Sequence, residues 1–356
     1  MNNKNAGPTG GYGSVWISDE ALGFGAYEND IRRVSSRIHL SLFLYLIITY
    51  AVVLSVTLAL GIFLPADKYG ELAGDGAFNI ILSIVSQYLI GFPLFAVILR
   101  LFSKPEKPTC EKIKFSELAL LTLIAEALML FGSFIGNYMS HIIGLLLGFT
   151  PSNSLDEMLE GTPIWLIILS VVILAPIVEE IIFRKMIIDR LSRFGGAFSV
   201  IISSVAFALI HANIYQFPYA FAVGLLLGYV YYRSGDIRYT IAIHMIMNFL
   251  GSVAILPVQA AAEKLEEMSG VITAGGDVNT AEYVLSQLIV SVYSVIQLAI
   301  LVGGVAALIV YARKKRSEIR DALIPYPSKS FRAAYINVGA ILFIVLCLIL
   351  TVLSLF

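Results

Sequence analysis

Nine stretches of this chain are apolar almost without a break, and they confine it to one kind of fold. They run near Leu40–Leu64, Phe78–Leu101, Leu118–Gly148, Ile164–Ile188, Phe198–Ala212, Phe217–Tyr232, Tyr239–Ile255, Tyr283–Ala312 and Ala333–Phe356. About 20 apolar residues suffice to carry an α-helix across a bilayer. A soluble domain has roughly 45–50% apolar and about 25% charged residues. Here the values are 58% and 14%, with a mean hydropathy of +0.85. The excess lies in continuous runs and not in amphipathic stripes. The expected fold class is all-α: a polytopic membrane bundle of about eight or nine transmembrane helices with an intramembrane polar cavity. The fifth and sixth runs are short and nearly contiguous, which predicts a tight helical hairpin. Residues 1–38 read as a polar, Gly-rich cytoplasmic tail without the apolar core of a signal peptide, and 39–356 as the transmembrane bundle.

The net charge of -1 gives no reason to expect a nucleic-acid partner. Cys110 and Cys347 are far apart in sequence and are expected as free thiols. Basic residues alternate with acidic or neutral connections. Arg32, Arg33 and Arg37 precede the first run; Lys104, Lys107, Lys112 and Lys114 follow the second. Arg184, Lys185, Arg190 and Arg193 end the fourth, Arg233 and Arg238 the sixth, and Arg313–Arg316 with Arg320 the eighth. The loops Asp67–Asp75, Asp156–Glu160 and Glu263–Glu282 lie between them. By the positive-inside rule this predicts a multi-pass cell-membrane protein with a cytoplasmic N-terminus.

Glu179 and Glu180 lie side by side near the end of the fourth run. An unpaired charge at the bilayer centre costs about 2.5–3.5 kcal/mol on insertion scales, so an adjacent pair marks a functional site. Glu180 and Arg184 are four residues apart and share a helix face, where they can pair. Glu179 is rotated about 100° away and is available as a base. Downstream, His211 ends the sequence FALIH, and His244 and Asn248 lie four apart in HMIMN. A carboxylate base, two imidazoles and an amide can hydrolyse an amide bond: the carboxylate takes a proton from water, and His and Asn donors stabilise the oxyanion. The same residues can hold Zn²⁺, with His211 and His244 as the metal ligands, although no HExxH is present.

These motifs, EExxxR at Glu179–Arg184, FxxxH at Phe207–His211 and HxxxN at His244–Asn248, resemble those of the CPBP family of intramembrane endopeptidases. That family includes the type II CAAX prenyl proteases and the bacteriocin-processing Abi proteins. The resemblance covers about 163–251, a quarter of the chain, and Gly224 and Gly228 within it would let the sixth helix pack closely on a neighbour. It implies Glu179 as the water-activating base, Glu180 as its support, Arg184 as the partner of Glu180, and His211, His244 and Asn248 as an oxyanion or metal-facing set. It also implies a membrane-anchored or lipidated peptide substrate, and either a glutamate-dependent or a zinc mechanism. Two other functions remain open: a non-enzymatic bacteriocin-immunity or scaffold protein, and an ion-coupled transporter, against which the lack of internal repeats weighs.

Elsewhere, the first three and last two runs look like scaffold. Asn137 with His141 reads as an interface anchor, His39 as interfacial, and Glu126 as a cavity or interhelical residue. Depth is a constraint. For Glu179 and His211 to meet, the fourth helix must continue to about Arg190, or the fifth must tilt or start deeper.

Overall fold

The computed structural model describes residues 24–102, 111–149, 161–317 and 328–355, together with 105, 151, 153, 159 and 319. The first 23 residues, Lys104, Lys107, Cys110, Asp156–Met158, Glu160 and Arg320 lie outside the described residues. Chain order gives α1 (Phe24–Phe63), α2 (Ala66–Ala73), α3 (Gly76–Leu101), α4 (Phe115–Leu147), α5 (Ile164–Phe194), α6 (Gly196–Ile210), α7 (Phe217–Ser234), α8 (Ile237–Ser252), α9 (Leu256–Thr273), α10 (Thr280–Lys314), α11 (Ser328–Tyr335) and α12 (Val338–Leu353). Among the described residues six spans are long and apolar enough to cross a membrane: α1, α3, α4, α5, α8 continued by α9, and α10; α6 and α12 are shorter apolar helices. The protein is a polytopic helical bundle.

Three expectations are corrected. The first helix starts at Phe24, so residues 24–38 are not tail: Ile31, Val34 and Ile38 recur at helical spacing and are buried, while Asp30 bonds both Arg33 and Arg193 at 2.7 Å. The acidic stretch from Glu263 is mostly helix, because Ala260–Ala262 and the Glu, Lys and Leu residues that follow are helix formers; α9 packs on α10, and Lys264 pairs with Glu282. The last run is broken in two at Asn337. Its amide donates to the Ala334 carbonyl at 2.7 Å, and its oxygen accepts the Ala340 N–H at 2.9 Å, ending α11 and starting α12.

Two apolar clusters build the bundle. One joins α1, α3, α5, α6, α11 and α12 with the start of α7; the other joins α4, α7, α8 and α10. Small residues set the closest crossings. A Cβ on Gly136 of α4 would lie 2.2 Å from the Tyr215 carbonyl oxygen, and one on Gly304 of α10 would lie 2.4 Å from Ala127 Cβ. Gly224 and Gly228 bring α7 against Ser204 and Val200 of α6, so the expected hairpin forms. On α7, Arg233 ties to Glu117 of α4 at 2.7 Å and to the Tyr311 hydroxyl of α10 at 2.6 Å. Asp236 caps α8 through the Arg238 N–H, and the Arg238 side chain holds its carboxyl below the usual range.

The wide turns of α3 and α5 have a common cause. In α3 a π-helical stretch, Ile84–Gly91, is followed by a Phe92 N–H bonded to the Gln87 carbonyl and then by Pro93. In α5 the stretch Ile168–Leu174 is followed by an Ala175 N–H bonded to the Ser170 carbonyl and then by Pro176. Proline has no N–H and its ring clashes with the carbonyl four residues back, so the preceding turn widens. A second π-helical stretch, Ile181–Ile188, begins directly after Glu180. α5 then runs on to Phe194 with Arg184 and Arg190 buried. The fourth helix therefore continues past Arg190, as the first of the two routes requires.

Candidate active site

Glu180 lies at the centre of a buried polar cluster. Its side chain and that of Arg184 are both 0% exposed, and Arg184 Nε donates to Glu180 Oε2 at 3.0 Å. Arg184 has further company on α6: its Nη1 lies 3.4 Å from Ser203 Oγ, and its guanidinium sits 4.9 Å from the Phe207 ring centre. Ser203 in turn donates to the Phe183 carbonyl at 2.7 Å, which pins α6 to α5 beside the arginine. The arginine is thus held by a carboxylate, a hydroxyl and an aromatic face, while its Nη2 is buried without a hydrogen bond.

The other oxygen of Glu180 meets α8. His244 Nδ1 lies 3.0 Å from Glu180 Oε1, and His244 Nε2 lies 3.6 Å from Glu179 Oε2. One imidazole therefore bridges the two carboxylates. A proton on Nδ1 satisfies the fully buried Glu180 and turns Nε2 toward Glu179. Thr240, one turn before His244 and fully buried, lies against the same carboxylate. The two glutamates are unequal: Glu180 has no exposed surface, whereas the Glu179 side chain is 24% exposed. The asymmetry follows from the 100° between adjacent residues on a helix.

His211 ends α6. Its Nδ1 is 2.7 Å from the Phe207 carbonyl, so with the proton there Nε2 is left as an acceptor. Phe207 packs edge-on against both imidazoles, with centroids 4.9 Å from His211 and 5.9 Å from His244. It is the apolar spacer between the two imidazoles, of which His244 meets the glutamates. Directly after His211, Ala212 takes φ +48°, the left-handed region that an alanine enters only at a cost of about 1–2 kcal/mol. That turn stops α6 at the histidine and sends the chain back toward α7.

Asn248 differs from the expectation. Its Nδ2 donates to the Val171 carbonyl of α5 at 2.8 Å. α8 runs antiparallel to α5, so one turn beyond His244 its face meets residues well before Glu179. Among the described residues no group of three or more His, Cys, Asp or Glu side chains is arranged to hold a metal ion, and both His244 nitrogens already face carboxylates.

Ser203 and Thr240 carry no motif signal beyond four-residue spacing from Phe207 and His244. Two tyrosines come from helices that read as scaffold: Tyr45 of α1 and Tyr88 of α3 are within electrostatic reach of Glu179. His39, expected at the interface, is 1% exposed and packs against Tyr335 and Phe343. Glu126 is buried and its Oε1 makes no hydrogen bond. Asn137 and His141 are exposed and line a cavity of about 380 Å³ with Tyr215. A second cavity, of about 470 Å³, opens between α1 and α12. Neither lies at the glutamates, whose open side is Glu179 itself.

Residues 161–250, which carry every member of this cluster on α5, α6 and α8, match the family model described as Type II CAAX prenyl endopeptidase Rce1-like. This segment is similar to the CPBP-family core. The matched segment spans about a quarter of the chain, and α1 to α4 and α9 to α12 lie outside it. A relative named "Putative membrane peptidase YdiL", from Bacillus subtilis (strain 168), is 32% identical over 114 residues. Those residues are 32% of this chain and 45% of that protein, so the chain covers less than half of the relative's length. No solved structure matches the chain.

Proposed function

We propose that this protein is an intramembrane endopeptidase that hydrolyses a peptide bond in a membrane-anchored or lipidated peptide. The observation that carries the reading is the His244 bridge between one sealed and one accessible glutamate, at 3.0 and 3.6 Å. Glu179 accepts a proton from water as the water oxygen attacks the peptide carbonyl. Glu180, charged and tied to Arg184, holds His244 by Nδ1, so that Nε2 stays turned toward Glu179. His211 Nε2 accepts the second water proton as a hydrogen bond and orients the attack. Collapse of the tetrahedral intermediate breaks the C–N bond, and Glu179 returns its proton to the leaving amine. No step is assigned to a metal. A prenylated CAAX-type peptide is the substrate class that the description of the matching family suggests, and a bacteriocin-leader peptide is the alternative; the apolar helices that carry the site favour a membrane-associated substrate in either case. We assign the N-terminus to the cytoplasm on the distribution of basic residues, a placement that a reporter fused to either end would check.

The test compares membrane peptides from cells with the wild-type chain and with Glu179→Gln. The variant should accumulate in the membrane yet lose cleavage. Full biological activity in that variant would instead mark a binding or immunity role that needs no base.

A further inference from the structure

Asn248 has an assignment that its motif does not predict. In the wide turn of α5 each N–H reaches the carbonyl five residues back, as Ala175 does to Ser170. The next donor in that series would be residue 176, bonded to Val171. Residue 176 is proline and has no N–H. Within a membrane span no water replaces a missing donor, so a bare carbonyl is costly. The Val171 carbonyl is the acceptor that Asn248 Nδ2 meets at 2.8 Å, across the interface between α8 and α5. Pro176 stands three residues before Glu179, and the wide turn sets how α5 aims both glutamates at His244.

We propose that Asn248 is a positioning residue: its amide replaces the N–H that Pro176 lacks, and so holds the α5 turn in the geometry that presents Glu179 and Glu180 to His244. The proposal rests on the hydrolytic reading for its effect on rate, but the interaction itself does not. One side chain thereby couples two sequence features, the Pro176 of α5 and the last residue of HMIMN on α8.

The test is a cycle on the full-length chain in lipid nanodiscs, with Asn248→Ala, Pro176→Ala and the double variant. Restoring an N–H at 176 gives the α5 turn a backbone donor again, whether it bonds to Val171 or lets the turn tighten. Asn248→Ala alone should lower kcat about 100-fold, as small misplacements of reacting groups do, with KM little changed. In the Pro176→Ala background the same substitution should cost less than a factor of about five, a limit set well below that misplacement effect. Hydrogen–deuterium exchange across residues 168–180 should rise in Asn248→Ala and return toward wild type in the double variant. If Asn248→Ala does not accumulate, recovery of folded protein on adding Pro176→Ala is the expected result. An equal loss of kcat in both backgrounds overturns the proposal and makes Asn248 a direct contact to the reacting atoms. Unchanged exchange on Asn248→Ala, or no recovery by Pro176→Ala, also overturns it. Should the wild-type chain cleave nothing, the exchange measurements still decide this proposal while the hydrolytic reading fails separately.

Discussion

Replacing Arg184 with methionine removes the cation from the sealed side of the site and keeps the volume of the side chain similar. The pair it breaks has an N–O distance of 3.0 Å, with both side chains 0% exposed. At an effective dielectric of about 20 the Coulomb attraction at that distance is about 5 kcal/mol. Desolvation of both ions offsets most of this, so the net worth of the pair is small, but removal of one partner leaves a buried carboxylate exposed to the full penalty. That penalty is about 3–5 kcal/mol for buried pairs, and here the low end applies because His244 and Thr240 still face Glu180. Arg184→Met should therefore lose about 3 kcal/mol of stability. Adding Glu180→Gln neutralises the orphan and should recover about 2 kcal/mol of that loss, although cleavage stays impaired because a neutral amide no longer orients His244 as a carboxylate does. Unfolding by increasing SDS in mixed micelles, followed by far-UV circular dichroism, gives all four corners of the cycle. Additive losses, with a coupling under about 0.5 kcal/mol, would mean that the two residues do not act as a pair and would refute the reading of Glu180 as the sealed, charged support.

Other residues give sharper local tests. Ala212→Gly should raise stability by about 0.5–1 kcal/mol in the same assay, because glycine enters the left-handed region without strain and gives back part of the gain as chain entropy. A loss would show that the turn is not strained. Gly136→Ala should cost about 1–3 kcal/mol, since its methyl would meet the Tyr215 backbone at 2.2 Å, whereas Gly303→Ala, with open space around it, should be tolerated. Equal thermal midpoints for the two variants would argue against the close crossing of α4 and the start of α7. Cleavage should survive exhaustive chelation, given that both His244 nitrogens face glutamates. Loss of cleavage that added Zn²⁺ restores would return His211 and His244 to the role of metal ligands.

The pairing of Glu180 with Arg184 was legible in the sequence, because four-residue spacing on a helix is a local matter. So was the asymmetry of the two glutamates. The tail was misjudged because Arg32, Arg33 and Arg37 made residues 24–38 look polar, and only the buried face of Ile31, Val34 and Ile38 shows that a helix extends through them. Thr240 and Ser203 escaped notice since a lone hydroxyl in an apolar helix usually bonds its own backbone, as Thr240 does to the Ile237 carbonyl, whereas Ser203 crosses to the Phe183 carbonyl of α5.

The sequence by itself determined the class of fold, the approximate spans and the identity of the polar residues. Hydrophobic run length and the cost of charge in lipid act through local composition, and both can be read along one dimension. Only the tertiary structure decided how those residues divide the work. It set His244 between two carboxylates, gave Phe207 to both imidazoles, and bonded Asn248 to the Val171 carbonyl. The reason is geometric: the widened turns of α5 around Pro176 and after Glu180 change which residues share a face, and the antiparallel crossing with α8 selects the partner. Neither follows from spacing counted on a regular helix.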